Sequence, residues 1–65
     1  GELEEAIRSA RKATEISPDD GEAYRILGIC LIENSQHEKG QECLKKAILL
    51  GDEAAKRLLQ DIENK

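Results

Sequence analysis

Apolar residues recur at intervals of three and four in four segments of the chain, and short breaks separate these segments. This spacing places apolar side chains on one face of an α-helix. The sequence therefore predicts four helices, over residues 2–17, 21–33, 37–50 and 53–63. Because the breaks are only two to four residues long, consecutive helices are expected to lie antiparallel. The fold predicted from this pattern is all-α, built from stacked helical hairpins.

The composition agrees with helices and limits the stability of the fold. Apolar residues make up 38% of the chain and are almost entirely Ala, Leu and Ile, with one Tyr, no Phe and no Trp. Such side chains favour helices, whereas strands favour β-branched and aromatic residues. A chain of 65 residues holds at most one domain and buries only about 60% of its unfolded surface. We therefore expect a stability of only a few kcal/mol.

The residues in the breaks predict how the helices begin and end. Asp19 is expected to cap the second helix, and Asp52 the fourth, because short acidic side chains accept hydrogen bonds from free backbone N–H groups. Asn34 tolerates a left-handed conformation after the second helix. Ser35 is expected to cap the third helix in a capping box, and Gly51 to end it.

The first and third helices also form an internal repeat, since a shift of 34 residues superimposes their sequences. The matched pairs are Glu4 with Glu38, Lys12 with Lys46, Ala13 with Ala47, Ala6 with Gly40, and Ile16 with Leu50. Positions that must be small or apolar for packing agree across the shift. A period of this length is typical of helical repeat proteins.

The motifs within this period are Tyr24-x-x-Leu27-Gly28-x-x-Leu31, Gly40-x-x-x-Leu44-x-x-Ala47, and Ala6-x-x-x-Ala10-x-x-Ala13 followed by Pro18. Together they resemble the tetratricopeptide repeat family over roughly residues 1 to 52. In that family, small residues at the positions of Gly28, Gly40 and Ala47 let paired helices approach closely. The chain departs from the family where Asp52 replaces the usual proline and where Ala10 replaces a bulky residue.

The resemblance implies a domain layout and a function. Residues 1–20 correspond to the second helix of a preceding repeat, residues 21–54 to one complete repeat, and residues 55–65 to a C-terminal capping helix. The family's fold is a short α-solenoid, and the implied function is to bind a partner protein or peptide as the end of a larger array. The alternative is a purely structural role, in which the helices associate with copies of themselves.

The resemblance also implies a binding groove lined by the first helix of each repeat. The residues that match it are Glu22, Arg25, Ile26, Ile29, Ile32 and Glu33. In the alternative interpretation, Ile26 and Ile32 belong to the core and the charged side chains are only solvated. Some family members hold a C-terminal carboxylate with Asn and Lys side chains, but Ile29 stands where such a clamp would have Asn. An apolar partner is therefore expected.

A second surface is expected at the open end of the first helix. No helix precedes it in the sequence, so one side of its apolar stripe has no covering element. Leu3, Ile7 and Ala10 are the residues expected to be left open. Upstream sequence or a second copy of the chain would then cover them, because exposed apolar area is unfavourable in water.

Several other classes of function lack the residues they need. The net charge is -4 with acidic and basic residues interspersed, so nucleic-acid binding through a basic stripe is not expected. No apolar run approaches the roughly 20 residues that span a bilayer. We expect a cytoplasmic protein with no membrane segment and no cofactor.

Catalysis and metal binding are not expected either. His37 is the only histidine and is predicted to start the third helix in solvent, with no nucleophile suitably placed beside it. Cys30 and Cys43 lie on apolar helix faces and are expected to be reduced, buried thiols. A disulfide, or a metal site with His37, remains a minor alternative.

Overall fold

The computed structural model describes residues 1–64, which form four α-helices and no β-strand. The helices are α1 (Glu2–Ile16), α2 (Gly21–Glu33), α3 (His37–Leu49) and α4 (Glu53–Glu63). The all-α prediction is confirmed. α2 and α4 begin and end where the sequence predicts, while α1 and α3 each end one residue earlier.

Each helix packs mainly on the next one in the chain, which gives a flat stack of 30 × 25 × 15 Å. Two apolar clusters hold the stack together. The first lies between α1 and α2 and contains Ile7, Ala10, Leu27, Cys30 and Leu31. The second is centred on α3 and α4 and contains Leu44, Ala47, Ala55 and Leu59. α2 is central, because it packs against both α1 and α3.

Two glycines set the distance between α2 and α3. A β-carbon on Gly28 would lie 2.8 Å from the carbonyl oxygen of Gly40, and one on Gly40 would lie 2.7 Å from that of Gly28. Real β-carbons do not approach a backbone oxygen so closely, so the two backbones can meet only where both side chains are hydrogen. This confirms the predicted close contact of Gly28 with the third helix.

The two acidic N-caps differ in how well the sequence predicts them. Asp52 Oδ1 accepts a hydrogen bond from the Ala55 N–H at 3.0 Å, as expected. At the start of α2, however, the cap is Asp20, whose Oδ1 accepts from the Glu22 N–H at 3.0 Å. The prediction that Asp19 caps this helix is wrong, because Asp19 lies one residue too early to reach the free N–H groups.

The α2–α3 turn also differs from its prediction. Ser35, not Asn34, takes the left-handed conformation, with φ of 65°, and the N-cap of α3 is Gln36, with no side-chain cap. The reason is a Schellman motif: the Ser35 N–H donates to Ile32 O, and the Gln36 N–H donates to Leu31 O. Ser35 therefore ends α2, and the predicted capping box with Glu38 does not form.

The α3–α4 turn repeats this geometry with a glycine. The Gly51 N–H donates to Ile48 O at 2.9 Å, and the Asp52 N–H donates to Ala47 O at 3.0 Å. Gly51 has φ of 92°, which confirms its predicted role at the end of α3. Ser35 and Gly51 thus occupy equivalent left-handed positions.

Candidate partner-binding face

One side of α2 is covered by neither α1 nor α3, and we call it the α2 outer face. It consists of Glu22, Ile26, Ile29 and Glu33, spaced so that all four lie along one line of the helix. Ile26 is 43% exposed and Ile29 is half-buried, while both glutamates are exposed. The face therefore has an apolar centre with one carboxylate at each end.

Arg25 borders the α2 outer face and connects it to α4. Its Nε donates a hydrogen bond to Asp52 Oδ2 at 3.1 Å, and its second guanidinium nitrogen donates to Glu22 Oε2 at 3.4 Å. Both Arg25 and Asp52 are largely covered, at 24% and 11% side-chain exposure. The sequence predicts that Arg25 binds a partner, which stays a prediction, and in the structure its hydrogen bond to Asp52 also holds the start of α4 beside α2.

The Asp52 carboxylate is stabilised in its charged form. Burial alone would raise its pKa, but the hydrogen bond from the Ala55 N–H, together with the hydrogen bond and charge of Arg25, lowers the pKa below its ordinary value. The carboxylate thus caps α4 with one oxygen and pairs with Arg25 through the other. The charged Asp52 therefore connects the start of α4 to Arg25 at the border of the α2 outer face.

Ile32, which was expected in the groove, points away from it. Its side chain packs against the cluster formed by α3 and α4, and its Cγ1 lies against the backbone of Gly40. Ile32 is therefore a core residue. Ile26 shows the opposite outcome, since its exposure rules out the interpretation that it belongs to the core.

The expectation that Ile7 and Ala10 are open is wrong. They are 8% and 7% exposed and pack in the first apolar cluster, and Leu3 is partly buried against it. The physical reason is that this stripe of α1 packs directly on α2. The exposed apolar residues of α1 are instead Ala6, Ala13 and Ile16, the last at 74% exposure.

The remaining polar candidates lie apart from the α2 outer face. Cys30 is a buried free thiol, and Cys43 is a half-buried one on α3. Burial, with a smaller contribution from Glu42, raises the pKa of Cys43 against the opposing charge of Arg11. His37 is exposed at the start of α3, as predicted.

Within residues 1–64, no three potential ligands among His, Cys, Asp and Glu lie close enough together to hold a metal ion. None of the helices in this part of the chain has the length and apolar character required to cross a membrane.

The stacked antiparallel hairpins with a glycine contact define an α-helical repeat protein. A model of the tetratricopeptide repeat family matches residues 1–62, so the chain belongs to this family. Repeats of this family generally mediate protein–protein interaction, and the fold is a non-catalytic one. Neither the curated proteins nor the solved structures gave a match.

Proposed function

We propose that this chain is a protein-interaction module that binds a partner peptide or segment through the α2 outer face. The observation that carries the proposal is the exposure of Ile26, 43%, beside the half-buried Ile29 on a helix whose other sides are covered. Large apolar residues exposed together are a common feature of interaction sites. The neighbouring Arg25–Asp52 pair holds the start of α4 beside this face.

The charges on this face define the chemistry of the partner. Glu22 and Glu33 stand at its two ends, about 16 Å apart at 1.5 Å per helical residue. Arg25 shares its single positive charge between Asp52 and Glu22, so the face and its border keep a net negative charge. The face therefore suits a segment with a large apolar residue in the middle and a Lys or Arg toward each end. In an extended peptide this motif would span about five residues.

The domain layout follows the helical repeat. Residues 21–54 form one complete repeat, residues 1–20 the second helix of a preceding one, and residues 55–65 a terminal cap. The match of α1 with α3 at a shift of 34 residues supports this division. In this proposal the chain is the end of a repeat array that works in the cytoplasm.

Self-association is the second candidate function, favoured by two large apolar residues at the ends of α1 and α3. Ile16 is 74% exposed and Leu49 is 82% exposed, and each is the last residue of its helix. Sedimentation at increasing concentration separates the two functions. A monomer that binds peptides supports the first, whereas a dimer that Leu49→Glu dissociates supports the second.

Selection of peptides on the immobilised chain tests the first proposal. A displayed peptide library should yield sequences with an apolar residue between two basic ones. Ile26→Glu should weaken binding of these peptides at least tenfold, because it buries a charge against the apolar anchor. Leu49→Glu is the matched control and should bind as the wild type does. Enrichment of acidic peptides, or equal binding by Ile26→Glu, would refute the proposal.

A further inference from the structure

A polar cleft lies between α1 and the turn that joins α2 to α3, and we call it the arginine cleft. Its volume is about 290 Å³, and its lining residues are Glu4, Ile7, Arg8, Arg11, Asn34 and Gln36. None of them belongs to the α2 outer face, so the cleft is a separate surface. Ligand pockets usually measure roughly 300–1,000 Å³. The arginine cleft is therefore large enough for one side chain of a partner but too small for a bulky cofactor.

Two arginines supply the positive charge of the cleft. Arg8 and Arg11 are three residues apart on α1, so their side chains leave the same side of the helix. Among residues 1–64, neither guanidinium forms an ion pair or a hydrogen bond. Arg25 differs, since it is paired with Asp52 and Glu22. The donors of Arg8 and Arg11 are therefore open to a ligand.

The α2–α3 turn contributes amide donors to the same cleft. Asn34 Nδ2 donates a hydrogen bond to Gln36 Oε1 at 3.0 Å. This bond engages the Gln36 oxygen and leaves both N–H donors of its amide nitrogen without an acceptor within residues 1–64. The half-buried Gln36 is also held by its backbone N–H, which donates to Leu31 O at 2.8 Å. Donors thus outnumber acceptors around the cleft, which favours an anionic ligand.

The packing of the repeat does not explain the two arginines. Thirty-four residues further along the chain, Arg8 corresponds to Glu42 and Arg11 to Lys45. Because a residue of opposite charge replaces Arg8 in the equivalent helix, packing does not require a positive charge at this position. The positive charge of the arginine cleft is thus a property of this surface and not of the repeat.

We propose that the arginine cleft binds the carboxylate of an acidic side chain in a protein partner. A guanidinium presents its N–H donors in a planar fork that matches the two oxygens of a carboxylate. The Gln36 amide adds a neutral donor. Ile7, only 8% exposed, gives the cleft an apolar floor, on which the methylene groups of a glutamate can pack.

The Glu4 side chain favours a carboxylate over a phosphate. It lines the cleft together with the two arginines and offsets one of their positive charges. A phosphate group with nearly two negative charges is repelled by Glu4 more strongly than a carboxylate with one. The net charge of the chain, -4, opposes polyanions such as nucleic acids in the same way. A single carboxylate is the ligand that these charges fit best.

An NMR titration with a blocked peptide tests this inference. The probe is acetyl-Ala-Glu-Ala-amide, whose only charge is the glutamate carboxylate, and the matched control is the same peptide with glutamine. In the isotopically labelled chain, the side-chain Nε–H signals of Arg8 and Arg11 should shift saturably with the glutamate peptide, as should the side-chain amide signals of Gln36. The glutamine peptide should leave them in place. Unshifted arginine signals, or equal shifts with both peptides, would overturn the inference.

Substitutions separate the cleft from the overall charge of the chain. Arg8→Gln and Arg11→Gln should each weaken binding of the glutamate peptide roughly tenfold, because each removes a charged donor. Lys12→Gln removes the same charge from α1 at an exposed position outside the cleft. It should change the affinity by less than about twofold, because solvent and salt screen distant exposed charges. Equal weakening by all three variants would show that only net charge matters and would refute the proposal.

Inorganic phosphate is the second probe, and it should bind the wild type more weakly than the glutamate peptide does. Glu4→Gln should strengthen phosphate binding more than peptide binding, since it removes the repelling charge. Tighter binding of phosphate than of the peptide to the wild type would overturn the assignment of a carboxylate. The peptide has no large apolar or basic residue to occupy the α2 outer face, so either result leaves the proposal for Ile26 untouched.

Discussion

Gly28 and Gly40 face each other's backbones, and neither position has room for a side chain. A β-carbon on Gly28 would lie 2.8 Å from the Gly40 carbonyl oxygen and 3.1 Å from the Leu44 side chain. A backbone oxygen cannot rotate away as a side chain can, so any substituent forces α2 and α3 apart. This contact lies between the helix that presents the α2 outer face and the helix that supports it.

Gly28→Ala should destabilise the protein by about 1–3 kcal/mol, the usual effect of overpacking a core. A loss of stability would be informative, because alanine normally stabilises a helix interior by about 1 kcal/mol relative to glycine. Urea unfolding followed by circular dichroism measures the difference. Ser9→Ala on the exposed side of α1 is the control and should be neutral or slightly stabilising. A Gly28→Ala protein as stable as the wild type would show that the helices are not in close contact.

Ser35 and Gly51 both end a helix in the left-handed conformation. Exchanging their residue types should therefore change the stability in opposite directions. Ser35→Gly should stabilise the chain by up to about 1 kcal/mol, since glycine adopts this conformation without the steric cost of a β-carbon. Gly51→Ser should destabilise it by about 1–2 kcal/mol for the same reason. Thermal unfolding of the two variants measures both changes. Shifts of the same sign would contradict the equivalence of the two turns.

Asp52 should stabilise the fold at neutral pH and lose this effect in acid. Its pKa is lowered in the folded chain, so the stabilisation is complete above the ordinary carboxyl pKa, near 3.9, and is lost as the pH falls through the folded value. Asp52→Asn keeps a capping side chain but loses the charge that pairs with Arg25. It should cost about 1 kcal/mol near neutral pH.

The cost of Asp52→Asn should begin to shrink below about pH 4 and should shrink further as the pH falls through the lowered pKa of the folded wild-type carboxylate. Unfolding curves of both proteins between pH 2 and pH 7 measure this convergence. Asp19→Asn, at an exposed position outside the cap, is the control and should match the wild type throughout. A cost of Asp52→Asn that stays constant with pH would contradict the charged pair.

The two thiols should react at different rates. Cys43 is half-buried with a raised pKa, whereas Cys30 is buried. Cys43 should therefore be modified first, faster as the pH rises because the thiolate is the reactive form, and Cys30 only as the chain opens. Mass spectrometry after timed alkylation resolves the two sites. Rapid modification of Cys30 under native conditions would show that the first apolar cluster is not formed.

The sequence predicts the helices well because their boundaries depend on local properties. Apolar spacing, Asp52 as a cap and Gly51 as a terminator each act within a few residues. The errors at Asp19 and Ser35 arose where two neighbouring residues both suited a role. At these turns the backbone hydrogen bonds of the preceding helix decided which residue took it.

The surfaces were harder to predict, because periodicity shows that a face is apolar but not which helix covers it. Ile7 and Ala10 form a stripe that α2 covers, whereas Ala6, Ala13 and Ile16 form a second stripe that stays open. The 34-residue repeat contained the necessary signal, since it pairs this second stripe with the buried positions of α3. Ile26 and Ile32 likewise differ only in their direction around α2.

Peptide binding at the α2 outer face can be located residue by residue with an NMR titration of the isotopically labelled chain with the peptide that binds best in the selection. The backbone amide signals of Glu22, Ile26, Ile29 and Glu33 should shift most on binding. The affinity should also fall as salt is added, because basic residues of the peptide meet the two glutamates. Shifts confined to α3 or α4, with the α2 outer face unchanged, would show that the peptide does not bind there.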